Sequence, residues 1–254
     1  MHRPIVTLTT DFGLADAYVS QMKAVILREN PDARLIDITH LIAPQDVLAG
    51  SIALERAIAA FEPGTIHLAV IDPGVGTPRQ ILIAEINRQR IVCPDNGLIT
   101  WVWRRHSGAR ASRLTWRPNT FSAAFHGRDI MAPIAGKLSR GAPVESLAES
   151  IDDLVLLDIA PSSHKGQIIH IDHFGNATTN LLSGAAVGAK VKVGRRLFDK
   201  VHHTYSDVSP GKPLALIGSS DLVEIAVRNG SAAQKLKLRV GDVVTLLPSR
   251  ERKR

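Results

Sequence analysis

Four polar clusters close apolar runs in the first hundred positions: Thr9-Thr10-Asp11-Phe12-Gly13, Asp37-Ile38-Thr39-His40, Asp72-Pro73-Gly74-Val75-Gly76-Thr77-Pro78-Arg79 and Cys93-Pro94-Asp95-Asn96-Gly97. Open α/β sheets bind ligands beyond the carboxyl ends of their strands, where such clusters would fall. Asp, Asn and Gly also form turns, so one cluster alone is ordinary loop chemistry, whereas four together point to a site. The glycine loop from Asp72 to Arg79 lacks the Gly-Lys-Ser/Thr ending of a P-loop, and no Gly-x-Gly-x-x-Gly opens a helix, which weakens nucleoside-triphosphate and dinucleotide readings. His170-x-Asp172-His173 and His202-His203 are the best metal candidates. Adjacent strand positions face opposite ways and there is no His-Glu-x-x-His helix, so no catalytic metal is expected.

Hydrophobic periodicity supplies the scaffold for these clusters. Ile5 to Thr9 reads as a strand, and Ala17 to Asn30 as a helix with Val19, Met22 and Ile26 on one face, closed by Pro31. Arg34 to Ile38 reads as a strand, Val47 to Phe61 as a helix, and Ile66 to Ile71 as a strand apolar almost throughout, as expected where helices cover both faces. The alternation predicts an α/β domain with a mostly parallel central sheet. Ile81 to Cys93 interrupts it as a hairpin about Asn87-Arg88, before helical signals return at Leu98 to Arg105 and Ile130 to Leu138.

From about Gly166 the texture changes to short β-like runs: Gln167 to Ile171, Lys190 to Val193, Leu214 to Ile217, Val223 to Val227 and Val243 to Leu247. Glycine, proline and serine divide them, which predicts a smaller all-β, barrel-like or sandwich domain. The seam is placed at Pro161-Ser162-Ser163, giving domains of residues 1–160 and 165–250.

At 254 residues, 44% hydrophobic and 22% charged, the chain has material for one large core or two modest ones, and is neither a disordered tail nor a fibre. Its apolar runs fall far short of the roughly 20 residues of a membrane helix, and Met1-His2-Arg3-Pro4 lacks a signal-peptide core, so a cytoplasmic location is expected. Cys93 is the single cysteine, which excludes an intramolecular disulfide. The net charge of +7 is concentrated in Arg104, Arg105, Arg110, Arg113, Arg117 and Arg128, and in the four cations between Arg250 and Arg254. A nucleic-acid partner is one reading of that charge. No nucleic-acid module accompanies it, and a solvated face with a frayed tail is the simpler account.

Six motifs in order, Thr9 to Gly13, Asp37 to His40, Asp72 to Gly76, Pro94 to Gly97, Phe125-His126-Gly127-Arg128-Asp129 and Asp172-His173-Phe174-Gly175-Asn176, make the chain resemble the S-adenosyl-L-methionine (SAM) hydroxide adenosyltransferase family over nearly its whole length. That family is related to fluorinating and chlorinating enzymes that use the same substrate. The resemblance implies an N-terminal α/β domain, a C-terminal barrel-like domain, and a homotrimer whose sites lie between one subunit's N-terminal domain and its neighbour's C-terminal domain. It implies hydrolysis of SAM to adenosine and methionine, by attack of a water-derived nucleophile on the ribose 5′ carbon, with no cofactor.

Carried over by motif, Asp72, Arg79 and His126 would act on the water, whose pKa of about 15.7 makes it a poor nucleophile unaided. Arg79 stays protonated, Asp72 can accept from the water, and neutral His126 can take or relay a proton. Read alone, the same residues are an ion pair pinning a loop and a helix-start histidine. Asp11 resembles the ligand of the ribose hydroxyls, its alternative being a helix cap. Asp172 and Asn176 resemble ligands of the methionine amino group, their alternative being a hairpin turn. Ser219 and Ser220, in the run that continues to Glu224, resemble the part meeting the methionine carboxylate. Backbone from Val227 to Asn229 would read the adenine edge, with Tyr205 or Phe125 on its face.

The halogenating relatives carry Tyr at the position of Asp72, Tyr at that of His126 and Ser at that of Gly127, and have an extra loop in place of the short Ile81 to Cys93 hairpin. A carboxylate at Asp72 disfavours a halide by roughly 4 kcal/mol for unit charges 4 Å apart at an effective dielectric of 20. Hydroxide transfer is therefore preferred over a halide-using SAM transferase. The remaining alternatives are an adenosine- or SAM-binding module with little turnover, and a basic nucleic-acid binder whose affinity would fall steeply with salt.

Overall fold

The computed structural model describes residues 3–248 and divides after Ile159 into two compact units. In the first unit the strands are β1 (Ile5–Thr10), β2 (Arg34–Thr39), β3 (Ile66–Val70), β4 (Ile81–Ile86), β5 (Gln89–Pro94), β6 (Arg110–Leu114) and β7 (Ala148–Ile151). Its helices are α1 (Tyr18–Glu29), α2 (Val47–Ala60), α3 (Thr100–Arg105) and α4 (Ala132–Ser139). One sheet holds all seven strands in the order β2-β1-β3-β5-β4-β6-β7.

Helix α1 buries Val19, Met22 and Ile26, the face its periodicity predicts. With α4 it covers one side of the sheet, over a core that includes Leu8, Leu68, Val70 and Ile134. On the other side Leu54 and Ile58 of α2 and Val102 of α3 pack on Ala69, Ile71 and Leu82. Strand β3 therefore meets a core on each face, which is why Ile66 to Ile71 is apolar almost throughout. Its one polar residue, His67, is buried among Thr7 Oγ1 at 2.8 Å and Gln89 Oε1 at 2.6 Å. Burial pushes its imidazole down to about 4.

The sheet is mixed, not mostly parallel. Pairings β1–β2, β1–β3 and β3–β5 are parallel, whereas β4–β5, β4–β6 and β6–β7 are antiparallel. The cause is the hairpin: Asn87 and Arg88 both have positive φ, at 49° and 60°, which matches a two-residue turn to the strand twist and folds β4 back on β5. From β5 the chain passes through α3 to β6, which pairs with the other side of β4 and is antiparallel to it.

The second unit has strands β8 (Lys165–Ile171), β9 (Ala177–Leu182), β10 (Ala189–Val193), β11 (Arg196–Phe198), β12 (Val201–His202), β13 (Pro213–Ile217), β14 (Leu222–Val227) and β15 (Val243–Pro248). The short helices α5 (Ser183–Ala186) and α6 (Ala232–Leu236) join them. The eight strands form one barrel-like sheet in the order β11-β10-β15-β8-β9-β14-β13-β12, around Ile168, Leu181, Val191, Ala215, Val223, Ile225 and Val244.

Much of the arginine-rich stretch has internal partners. Arg113 pairs with Glu149 across β6 and β7, Arg105 lies 3.6 Å from Glu55, and Arg117 donates to the carbonyls of Leu114 and Trp116. The cations between Arg250 and Arg254 lie outside the described residues. No described helix is long and apolar enough to cross a membrane.

Candidate active site

The three residues that the family resemblance assigns to water activation come from two loops. Asp72 lies just beyond β3. The chain then turns through Gly76, whose φ of 82° is favourable only to glycine, and a Cβ there would meet the Ala123 carbonyl at 3.0 Å. That turn returns Arg79 to Asp72. The guanidinium donates through Nε to Asp72 Oδ1 at 2.7 Å and through a terminal nitrogen to Asp72 Oδ2, a two-pronged pair. Their side chains are 9% and 5% exposed.

His126 comes from the second loop, at the head of a π-helical turn, Gly127–Met131, that runs into α4. Such turns are rare and displace side chains from helical register. Gly127 lets this one lie against β3, since a Cβ would meet Val70 Cγ1 at 3.2 Å. The loop is braced by Asp129, which accepts from the Ser122 amide at 2.8 Å and from Arg128. His126 Nδ1 then sits 3.1 Å from the Arg79 nitrogen that also serves Asp72.

Arginine can only donate, so His126 Nδ1 is an acceptor and the ring proton is on Nε2. Burial and the charge of Arg79 hold the imidazole below its ordinary value, which keeps it neutral near pH 7. The unit Asp72–Arg79–His126 thus offers a carboxylate acceptor, a fixed cation and an N–H donor. That combination can orient a water molecule and stabilise hydroxide character on it.

Asp72 and His126 line a cavity of about 190 Å³ whose other walls include Phe12, Tyr18, Val75, Phe125 and Gly127. Phe12, Tyr18 and Phe125 face one another with ring centroids 5.3 to 5.7 Å apart, and Arg128 stands 4.9 Å from the Phe125 centroid. An aromatic wall beside a charged triad suits a flat, partly polar ligand. Phe125 and Gly127 belong to a motif that carries the family resemblance, and Phe12 and Tyr18 join them on this cavity; the signal for these two is an aromatic residue directly after Asp11 and another in the first turn of α1.

Asp11 does not cap α1, whose first turn has no side-chain cap. Its Oδ2 accepts from the Gln45 amide at 2.8 Å, and Gln45 adopts a φ of 68°.

The remaining predicted residues belong to the second unit. Asp172 Oδ1 accepts from the amides of Phe174 and Asn176 at 2.9 and 2.8 Å, and Oδ2 from Asn176 Nδ2 at 3.1 Å. The pair builds the turn between β8 and β9, with Gly175 at a φ of 84° pressed against Ser231. Tyr205 donates to buried Glu224 at 2.7 Å. Burial, that hydrogen bond and the charge of Asp172 raise the phenol, which places Asp172, Tyr205 and Glu224 in one neighbourhood. Ser219 and Ser220 form the turn between β13 and β14. The backbone at Val227 and Arg228 is engaged locally: the Val227 carbonyl accepts from Gly230, and Arg228 exchanges hydrogen bonds with Lys212 and Gly211. Asn229 closes that turn with a φ of 55°.

Comparison with known proteins gives the same direction. Residues 6–148 match the model of the SAM hydroxide adenosyltransferase N-terminal domain, and residues 166–245 that of its C-terminal domain. The chain is 39% identical to the (R)-S-adenosyl-L-methionine hydrolase of Thermus thermophilus over 96% of its length and 100% of that protein. It is 36% identical to the enzyme of the same name from Salinispora tropica over 94% and 96%. A crystal structure of an uncharacterized conserved protein from Thermotoga maritima superposes with a TM-score of 0.87 at 35% identity, covering 96% of this chain and 100% of that one. With both halves matched and full-length relatives well above 30% identity, the chain belongs to the SAM hydroxide adenosyltransferase family.

Proposed function

We propose that the protein hydrolyses SAM to adenosine and L-methionine, and that Asp72, Arg79 and His126 act on the attacking water. One arginine that serves at once Asp72 and His126, the two polar residues lining the aromatic cavity, carries this reading. Water approaches the ribose 5′ carbon and its oxygen lone pair forms the new C–O bond. The C5′–S bond breaks with its electron pair passing to sulfur, so methionine leaves as a neutral thioether. One water proton passes toward Asp72 and on to solvent, which balances the lost sulfonium charge.

The hydrogen-bond directions divide the labour. Each Asp72 oxygen takes one N–H from Arg79 and keeps a lone pair for the water. His126, with Nδ1 already accepting, donates from Nε2 and orients the water oxygen. The leaving group is activated before it binds, so positioning and partial deprotonation are sufficient and the reaction calls on no cofactor. Asp11 receives the ribose hydroxyls, using its oxygen not engaged by Gln45. Phe125, with Phe12 and Tyr18, takes the flat base. In the second unit we assign Asp172, Asn176, Ser219, Ser220, Tyr205 and Glu224 to the methionine end and Val227 to Asn229 to the adenine edge. We further propose a cytoplasmic homotrimer, in which one subunit's second unit serves the first unit of its neighbour.

Incubation of purified protein with SAM, with and without fluoride or chloride at about 0.1 M, where the Debye length is about 10 Å, followed by mass-detected chromatography, tests this reading. Adenosine and methionine are expected in every arm. A 5′-halogenated nucleoside, or no product at all, would sink it.

A further inference from the structure

The Asp37-Ile38-Thr39-His40 cluster has no task in the reaction as described. His40 is 2% exposed at its side chain, with Nδ1 2.8 Å from Thr10 Oγ1 and Nε2 3.0 Å from Asp37 Oδ1. Lys23 donates to the other Asp37 oxygen at 2.6 Å. At the far end of the series the Phe12 amide donates to Thr10 Oγ1 at 3.3 Å, and the Gly13 amide to the His40 carbonyl at 2.8 Å.

The proton directions are fixed at both ends, because ammonium and amide groups only donate and a carboxylate only accepts. Asp37 Oδ1 lies at ion-pair distance from His40 Nε2 without hydrogen-bond geometry, His40 Nδ1 is hydrogen-bonded to the Thr10 hydroxyl, and Thr10 Oγ1 takes the Phe12 N–H. A continuous series of polar contacts thus runs from Lys23 on α1, through β2, to the segment after β1. That segment holds Asp11 between Thr10 and Phe12. Its other restraint is the amide of Gln45, a residue in the left-handed region, where a non-glycine residue is strained and must be held by its surroundings.

We infer that Lys23, Asp37, His40 and Thr10 form a positioning device that aims the Asp11 carboxylate at a ribose diol. The inference rests on the assignment of Asp11 to the ribose hydroxyls. A diol contact is the same in the ground and transition states, so its loss raises KM and leaves kcat unchanged.

The test uses Thr10→Val, which keeps shape and removes the hydroxyl, Thr10→Ser, which restores it, and His40→Ala. Each is assayed for SAM turnover and for calorimetric binding of adenosine and of 2′,3′-dideoxyadenosine. Thr10→Val and His40→Ala are expected to raise KM for SAM and weaken adenosine about tenfold, the effect of one misdirected charge-assisted hydrogen bond. Thr10→Ser is expected to behave as the native protein, with kcat and dideoxyadenosine affinity moving less than about twofold throughout. Equal losses for the two nucleosides, or a fall in kcat at constant KM, would overturn the inference. Should His40→Ala not fold, the Thr10 pair decides. If the native protein binds adenosine but leaves SAM intact, the proposed reaction fails while the nucleoside comparison still judges the device; if it does not bind adenosine, both fall.

Discussion

Asparagine at position 72 keeps the shape of the aspartate and removes its charge. In the native protein each carboxylate oxygen takes an Arg79 N–H, with the two side chains 5% and 9% exposed. Asp72→Asn offers one acceptor oxygen and turns an NH2 group toward the guanidinium, so one of the two prongs becomes donor against donor. Breaking a buried pair from one side costs about 3–5 kcal/mol, and the solvent that reaches this cavity wall places the stability loss near the lower figure. The catalytic loss is separate. An acceptor for the water's proton contributes about 10²–10⁴-fold, or roughly 3–5 kcal/mol of barrier. In this account Asp72 touches the water and not the substrate, so KM for SAM stays within about threefold. Initial rates over a range of SAM concentrations, with adenosine quantified by chromatography, give kcat and KM separately, and urea unfolding gives the stability. A variant that keeps kcat within about threefold of native, or one that loses affinity and leaves kcat intact, would refute the role derived for Asp72.

Other outcomes follow from the same geometry. His126 must be neutral to accept from Arg79, and its depressed pKa keeps it so below the ordinary imidazole value; a kcat profile should stay flat through about pH 6.5 and fall only in more acid solution. An acid limb centred at or above that value would contradict the assigned tautomer. Gly76→Ala forces a side chain onto a φ of 82° with the Ala123 carbonyl 3.0 Å away, so the turn that returns Arg79 should shift, with a stability loss of at least about 1 kcal/mol and a lower kcat in the assay above. His67 is held down to about 4 while the unfolded chain protonates near 6.5, so the unfolded state binds more protons between these values and stability drops by about 3 kcal/mol as pH falls from 7 to 4. Urea unfolding across that range should show the drop, and His67→Gln should lose most of it.

The elements with a clear period were legible in the sequence. Val19, Met22 and Ile26 are the buried face of α1, and the Asn87-Arg88 hairpin lies where it was expected. The hairpin sets β4 antiparallel to β5, and β6, which follows α3, is antiparallel to β4 as a result. Strand β9 was missed because it reads Ala-Thr-Thr-Asn-Leu-Leu, with its polar middle buried. Thr179 donates to the Val223 carbonyl, and Asn180 accepts from the Gln167 amide and donates to the Ala160 carbonyl, partners that are distant in sequence. Strand β6 was missed because Arg110 and Arg113 read as part of a solvated face, although the neighbouring Ala111 and Leu114 are buried.

The Asp72–Arg79 ion pair was legible in the sequence, and its contact with His126 was not. That one guanidinium serves both Asp72 and His126 depends on the turn at Gly76 and the π turn at Gly127, neither of which has a sequence period. The tautomer that makes His126 a donor follows only from that contact. Asp172 and Asn176 show the opposite case: the hairpin turn weighed as their alternative is present, and it presets their side chains whatever else they bind.

The most direct test of the central claim is a single-turnover reaction of the native protein with SAM in oxygen-18 water, with Asp72→Asn alongside. The account predicts adenosine carrying one solvent oxygen at the 5′ hydroxyl, together with methionine, at a rate that falls by at least about a hundredfold in the variant. Unlabelled adenosine, or labelled adenosine formed equally fast by both proteins, would contradict it.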